Sequence, residues 1–226
     1  PGGHHQPVGR QQGRVRRDQQ QAVAVGREGG GVVGRPDLGA DPQAMLATYR
    51  RIAELQAPHV DVMLCETLAS VLEIGAATRA AAETGRPVWT AMTLADGETA
   101  MLRSGERLED GIAAAIGNGA HVLLLNCSWP ETVSASLGEL ARAGKPFGAY
   151  ANAFTSVAPL EPGGTVEGLT ARTDLGPEAY CRFALSWAAG GAAIVGGCCE
   201  VGPRHIALLA TELRAGGYTI DKVVHA

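Results

Sequence analysis

The sequence predicts an α/β fold built on parallel strands, and three observations carry that expectation. Short apolar runs alternate with longer segments of helical character, five times from about residue 58 onward. Residues able to do chemistry recur where those runs end. Apolar residues make up 46% of the 226-residue chain but aromatics only 4%, so the core must be built from Ala, Val, Leu and Ile, which suits strands buried beneath helices. Strand–helix alternation implies parallel pairing through right-handed crossovers. It leaves two architectures open, a doubly wound sheet and a (β/α)₈ barrel.

The regular pattern starts after Arg35. Asp41-Pro42 combines a capping side chain with a proline at the first helical position, and the helix it opens should run to about Ala57. Val60 to Cys65 reads as a buried strand. A helix from Ser70 to Thr84 follows, closed by Gly85. Pro87 to Leu94 is the next strand, and a polar loop leads to a helix near Leu108–Asn118. The cycle continues with a strand at His121–Asn126 and a helix from Pro130 to Ala143. A strand at Pro146–Tyr150 and a helix from Pro177 to Ala189 come next. The last strand is Ala192–Gly196, with a final helix from Pro203 to about Ala215.

The preceding residues differ. Residues 1–35 carry six arginines against Asp18 and Glu28, although the whole chain is at −4. A basic arm suggests nucleic acid, but this stretch is polar, aperiodic and without aromatic stacking residues, so a solvated tail is the expectation. Gly29-Gly30-Gly31 is a poor phosphate loop, because no Lys-Ser/Thr follows it. No apolar run reaches membrane-spanning length and no secretory segment opens the chain. Five cysteines, two of them adjacent, do not form a secreted disulfide framework, so reduced thiols in a cytoplasmic protein are expected.

Candidate site residues share one address. Glu66 follows the first of these five strands, Cys127 the third, Asn152 the fourth and Cys198-Cys199 the fifth. The carboxyl ends of parallel strands are where α/β sheets and barrels build their sites. Three thiolates meeting there make a soft set suited to Zn²⁺. A vicinal disulfide competes for Cys198 and Cys199 but leaves Cys127 unexplained. Neighbouring strand residues face opposite ways, so the backbone must turn at Gly196-Gly197 for both thiols to reach one ion. By the same alternation Cys65 points away from Glu66, toward the helices. Cys181 lies inside a helix, and both are expected to be small buried hydrophobes. A metal with three thiolates keeps an open position. Such an electron-rich ion polarises a carbonyl poorly but holds a fourth thiol deprotonated and nucleophilic, the chemistry of alkyl transfer to sulfur.

Glu66-Thr67-Leu68, Asn126-Cys127, Tyr150-Ala151-Asn152-Ala153 and Gly196-Gly197-Cys198-Cys199, in that order, resemble the homocysteine S-methyltransferase family, over roughly Arg35 to Gly217. The resemblance implies a (β/α)₈ barrel in which Cys127, Cys198 and Cys199 bind zinc and homocysteine is methylated to methionine. It implies that Glu66 contacts the homocysteine amino group and that Asn152 shapes the amino-acid pocket; a loop-capping Asn152 is the alternative. The methyl donor stays open among S-methylmethionine, S-adenosylmethionine, betaine and a methylated folate.

The chain departs from that family at its start. The amino-terminal Asp-Gly-Gly strand is absent, and about five of eight βα units are expected. Residues 1–34 read as an irregular or unrelated leader, with Ala22–Val25 and Gly31–Val33 as remnants of the family's third strand. Residues 35–226 read as the carboxyl-terminal part of a homocysteine-binding barrel, as a misread gene start or frameshift would produce. Zinc binding with weak or no methyl transfer is the expectation. The alternatives are a non-catalytic zinc-binding remnant of the fold, and a thiol redox module using Cys198-Cys199, which lacks the usual two-residue spacing.

Overall fold

In the computed structural model, which describes residues 41–97, 99–157 and 166–220 together with the backbone of 22–25, the strands follow one another across a single parallel sheet. They are β1 (Ala22–Val25), β2 (Val62–Leu68), β3 (Val88–Met92), β4 (Val122–Asn126), β5 (Phe147–Tyr150) and β6 (Ile194–Val195). Their spatial order is β1-β2-β3-β4-β5-β6, and every pair is parallel. A doubly wound sheet must reverse its strand order at a switch point. None occurs here, so the order is that of barrel staves.

Among the described residues six α-helices connect and cover the strands: α1 (Pro42–Gln56), α2 (Val71–Ala82), α3 (Leu108–Gly117), α4 (Pro130–Arg142), α5 (Pro177–Ala189) and α6 (Pro203–Ala215). Their starts follow the local chemistry. Asp41 Oδ1 accepts from the Gln43 amide at 3.1 Å, and Ser70 Oγ from the Glu73 amide at 3.2 Å. Gly85, just past α2, has φ +74°, the left-handed conformation that a helix stop favours.

Alternation along the strands divides the interior. Met63, Cys65, Leu123, Leu125, Phe147 and Ala149 pack outward into the large core beneath the helices. Their neighbours face the other way, where Ala91, Val122 and Leu124 form a smaller cluster with Leu64, Trp89, Tyr150 and Ile194. That inner face is tight at its β5–β6 edge. A Cβ on Gly148 would lie 2.1 Å from the Ile194 carbonyl oxygen, so only glycine lets the two strands pair.

The sheet has one strand more than the five regular ones expected from the sequence. Ala22–Val25, expected only as a strand remnant, pairs with β2 in unbroken register from Ala22 opposite Val62 to Val25 opposite Cys65. The rest of residues 1–34, including Gly29-Gly30-Gly31 and Gly31–Val33, lies outside the described residues. β2 also runs further than expected, through Glu66 and Thr67 to Leu68, with an irregularity between Cys65 and Leu68. No described helix is long and apolar enough to cross a membrane.

Candidate metal centre

Beyond the regular strands, the backbone ladder continues and carries the cysteines with it. The Cys127 amide donates to the Tyr150 carbonyl at 3.2 Å, and the Cys198 amide to the Ala151 carbonyl at 2.9 Å. The Ala153 amide donates to the Cys199 carbonyl at 3.0 Å. The end of β5 is thus a spacer between the two cysteine-bearing segments. Tyr180, buried in α5, locks this arrangement. Its hydroxyl lies 2.8 Å from the Gly196 carbonyl and 3.1 Å from that of Ala151, tying the ends of β5 and β6 together.

The result brings Cys127, Cys198 and Cys199 to one point. Their three Sγ atoms lie within 4.8 Å of one another, and no other trio of His, Cys, Asp or Glu among the described residues forms such a group. Cys127 is buried, Cys198 half-buried and Cys199 exposed, so the cluster faces solvent on one side. All five cysteines are free, with the Cys198 and Cys199 sulfurs 3.7 Å apart, far beyond an S–S bond of about 2.05 Å. A tetrahedral zinc with bonds of about 2.3 Å requires sulfurs about 3.8 Å apart, so this pair already has the spacing of a ligand set.

The turn that brings both thiols to one side differs from the expected one. Neither Gly196 nor Gly197 has a positive φ. Gly197 is needed because a Cβ there would lie 2.1 Å from Val201 Cγ1, and the left-handed residue of this loop is Glu200, at φ 63°. Cys127 is itself left-handed, at φ 49°. That strain turns its side chain out of the strand's alternation.

The thiols share protons. Hydrogen bonds from Cys127 and then Cys198 hold the Cys199 thiol well below the usual range, while Cys198 is pushed up by its bonds to Cys127 and Cys199. The three thiols thus form one coupled cluster in which Cys199 is the most acidic. Arg103, from the loop after β3, stands beside it. Its Nη2 donates to the Cys127 carbonyl at 2.8 Å, and burial lowers its guanidinium pKa.

Glu66 lies on the inner face of β2, where its Oε2 accepts from the Tyr150 hydroxyl at 3.1 Å. Burial first, and then the Glu66 charge, push the Tyr150 phenol up, so it stays protonated and donates. Asn152 is fully buried. Its Oδ1 accepts from the Phe154 amide at 3.2 Å, closing its own turn, and its Nδ2 points at Cys127 Sγ at 3.9 Å. It caps a loop and touches the Cys127 sulfur at once.

Cys65 and Cys181 stand apart from this site, as alternation requires. Cys65 is fully buried against α2, with Sγ 3.6 Å from the Ala77 carbonyl, and burial pushes its thiol up to about 12. Cys181 is buried in α5.

Three contributors were not singled out by the sequence. Asn126 clamps the end of β2: its Oδ1 accepts from the Thr67 amide at 3.1 Å, and its Nδ2 donates to Thr67 Oγ1 at 2.9 Å. Thr67 thereby sits at φ 61°, an outlier for a β-branched residue. The irregularity keeps Glu66 inside while returning Leu68 to the outer core. An asparagine ending an otherwise leucine strand was the available signal. Tyr150 stood in the quoted Tyr150-Ala151-Asn152-Ala153 motif without a role of its own, and Arg103 gave no signal, because their roles depend on neighbours far away in sequence. A cleft of about 600 Å³ on the same face is lined by Gly97, Thr99, Trp129, Thr132, Thr155 and Arg172, among others.

Comparison with known proteins bears on this geometry. A family model described as homocysteine S-methyltransferase matches residues 14–213, reaching further toward the amino terminus than the sequence motifs do. Comparison with curated proteins gives no match. Among solved structures, the metallated form of the homocysteine methyltransferase MmuM from Escherichia coli is 27% identical. The match covers 79% of this chain and 55% of that one, with a TM-score of 0.61. The oxidized form of the same enzyme gives 26% identity, the same coverages and a TM-score of 0.62. Its apo form gives 26% identity over 79% of this chain and 60% of that one, with a TM-score of 0.59. The chain therefore spans a little over half the length of these structures.

Proposed function

Because the chain belongs to the homocysteine S-methyltransferase family, we propose that it binds zinc through Cys127, Cys198 and Cys199 and transfers a methyl group to the thiol of homocysteine, giving methionine. The observation that carries this reading is the convergence of the three sulfurs within 4.8 Å at the carboxyl end of the sheet. The donor set suits zinc: three soft thiols, one face open to solvent, and a Cys198–Cys199 spacing of 3.7 Å, near the tetrahedral value. A zinc ion there supplies one thing, a position at which a fourth thiol binds as its thiolate.

The surrounding residues account for the rest. Asn152 shapes the pocket by holding the Cys127 sulfur and closing the loop beneath it. Glu66 takes the homocysteine ammonium. The Tyr150 hydroxyl occupies Oε2, and among the described residues Oε1 accepts no hydrogen bond, so it is available. With amine and sulfur both fixed, the thiolate is aimed and the reaction becomes a matter of approach. The substrate thiol releases its proton, a sulfur–carbon bond forms to the donor methyl, and the donor leaves with the electron pair of the bond that breaks. The cleft beside Trp129, two residues beyond Cys127, is where the small-molecule donor enters.

The test is metal and thiol binding followed by turnover. Zinc-loaded protein should bind homocysteine through sulfur, and should form methionine from at least one of S-methylmethionine, S-adenosylmethionine, betaine or a methylated folate. Both should vanish in Cys198→Ala. Zinc-loaded protein with no sulfur-dependent affinity for homocysteine would overturn the reading.

A further inference from the structure

The site contains a cation that the thiol chemistry does not use. Arg103 sits in the loop after β3, and its guanidinium rests on the backbone of a proposed ligand through Nη2 and the Cys127 carbonyl. Its Nε is buried and has no hydrogen-bond partner. Among the described residues it forms no ion pair. The acid acting on it is Asp96, whose Oδ2 instead accepts from the Val157 amide at 3.2 Å. The guanidinium thus has one carbonyl acceptor and no ion-paired counter-charge, and the nitrogen an arriving acceptor can reach is Nη1, which makes no hydrogen bond among the described residues.

The remaining polar groups define what would arrive. The Tyr150 hydroxyl donates to Glu66 Oε2 at 3.1 Å while the Tyr150 carbonyl accepts from the Cys127 amide at 3.2 Å, so Glu66 and Cys127 meet the same strand end. Arg103 in turn holds the Cys127 carbonyl through Nη2 at 2.8 Å. The thiol cluster therefore has a carboxylate on one side and a guanidinium against its Cys127 flank. A free thiol bearing an ammonium and a carboxylate matches all three features. A planar guanidinium fork is also the side chain best shaped to hold a carboxylate.

We propose that Arg103 is a specificity-determining residue of the site, binding the α-carboxylate of the amino-acid thiol whose sulfur meets the cysteine cluster. The inference rests on the homocysteine reading above and adds the group that distinguishes an amino acid from a plain aminothiol. Its Nη2 anchor on Cys127 fixes where the fork stands relative to the sulfurs. Nη1, which makes no hydrogen bond among the described residues and is not sealed as Nε is, leaves it a donor to offer a ligand.

The experiment is calorimetric titration of zinc-loaded protein with L-homocysteine and with 3-aminopropane-1-thiol, which lacks only the carboxylate. The native protein should bind homocysteine about 10- to 100-fold more tightly, the usual worth of one charge-assisted hydrogen-bonded pair. Arg103→Gln should erase that preference while changing the affinity for 3-aminopropane-1-thiol by less than threefold, and Arg103→Lys should restore part of it. If Arg103→Gln weakens both thiols equally, the guanidinium only balances charge or holds Cys127, and the inference fails while the homocysteine reading stands. A native protein that does not distinguish the two thiols refutes the inference without any variant. A native protein that binds neither refutes both.

Discussion

Replacing Asn126 by alanine isolates the device that places Glu66. Asn126 is fully buried, and its amide makes both hydrogen bonds that hold Thr67 at φ 61°. A β-branched residue in the left-handed region costs about 1–2 kcal/mol, so the native state keeps that conformation only because the clamp outweighs it. Thr67 is half-buried, so water reaches the freed donors in part, and the lower end of the usual penalty applies, about 1 kcal/mol for each lost bond. Asn126→Ala should therefore destabilise the fold by about 2 kcal/mol, or about 4–8 °C in Tm for a chain of this size. The assay is urea unfolding followed by circular dichroism, run as a cycle with Thr67→Gly. Glycine adopts the left-handed conformation freely, so the clamp has less to hold in that background. The cost of Asn126→Ala should fall by about 1 kcal/mol there, a coupling of the size found for residues in direct contact. A single-variant loss below about 0.5 kcal/mol, or strict additivity, would refute the clamp.

Other substitutions separate the ligands from their surroundings. Cys198→Ala should abolish stoichiometric zinc by metal analysis, whereas Cys65→Ala should keep full zinc and lose only about 1 kcal/mol of stability from a small cavity. Gly197→Ala forces a Cβ into Val201; it should weaken zinc affinity measured by chelator competition and cost about 1–3 kcal/mol. Tyr180→Phe removes the hydroxyl between the Gly196 and Ala151 carbonyls and should cost about 1 kcal/mol, with a matching loss of zinc affinity. Arg172 grips Glu131 at 2.8 Å and holds its carboxyl below the ordinary range. The stability from that depressed pKa is present above about pH 4.3 and is lost as pH falls through the lowered value. The pair is partly exposed, so Arg172→Gln should remove only tenths of a kcal/mol above that pH, and progressively less as pH falls through the lowered value.

Much of the fold was legible because its signals are local. Asp41-Pro42 and Ser70 cap helices through atoms within three residues of themselves, and Gly85 stops one through its own φ. The apolar runs at β2 to β6 announce burial whichever strand they pair with. β1 is the counterexample. Ala22–Val25 is embedded among Gly, Gln and Arg, and it becomes a strand because β2 offers a backbone edge, which no periodicity records. The cysteine cluster was readable from position alone, since strand-end residues in parallel sheets meet on one face. The supporting residues were not. Asn126 acts on Thr67 at the far end of another strand, Arg103 reaches Cys127 from a loop, and the role of Gly197 depends on Val201 folding back onto it. The first two are contacts between segments that sequence keeps apart, and the third depends on how a short loop folds back, so spacing carried no trace of them.

Zinc K-edge X-ray absorption on metal-loaded protein, before and after addition of L-homocysteine, tests the central claim most directly. The account predicts one zinc per chain with three sulfur neighbours at about 2.3 Å and one lighter atom, changing to four sulfurs when homocysteine binds. A protein that retains no zinc, or a sulfur count that homocysteine leaves unchanged, would contradict it.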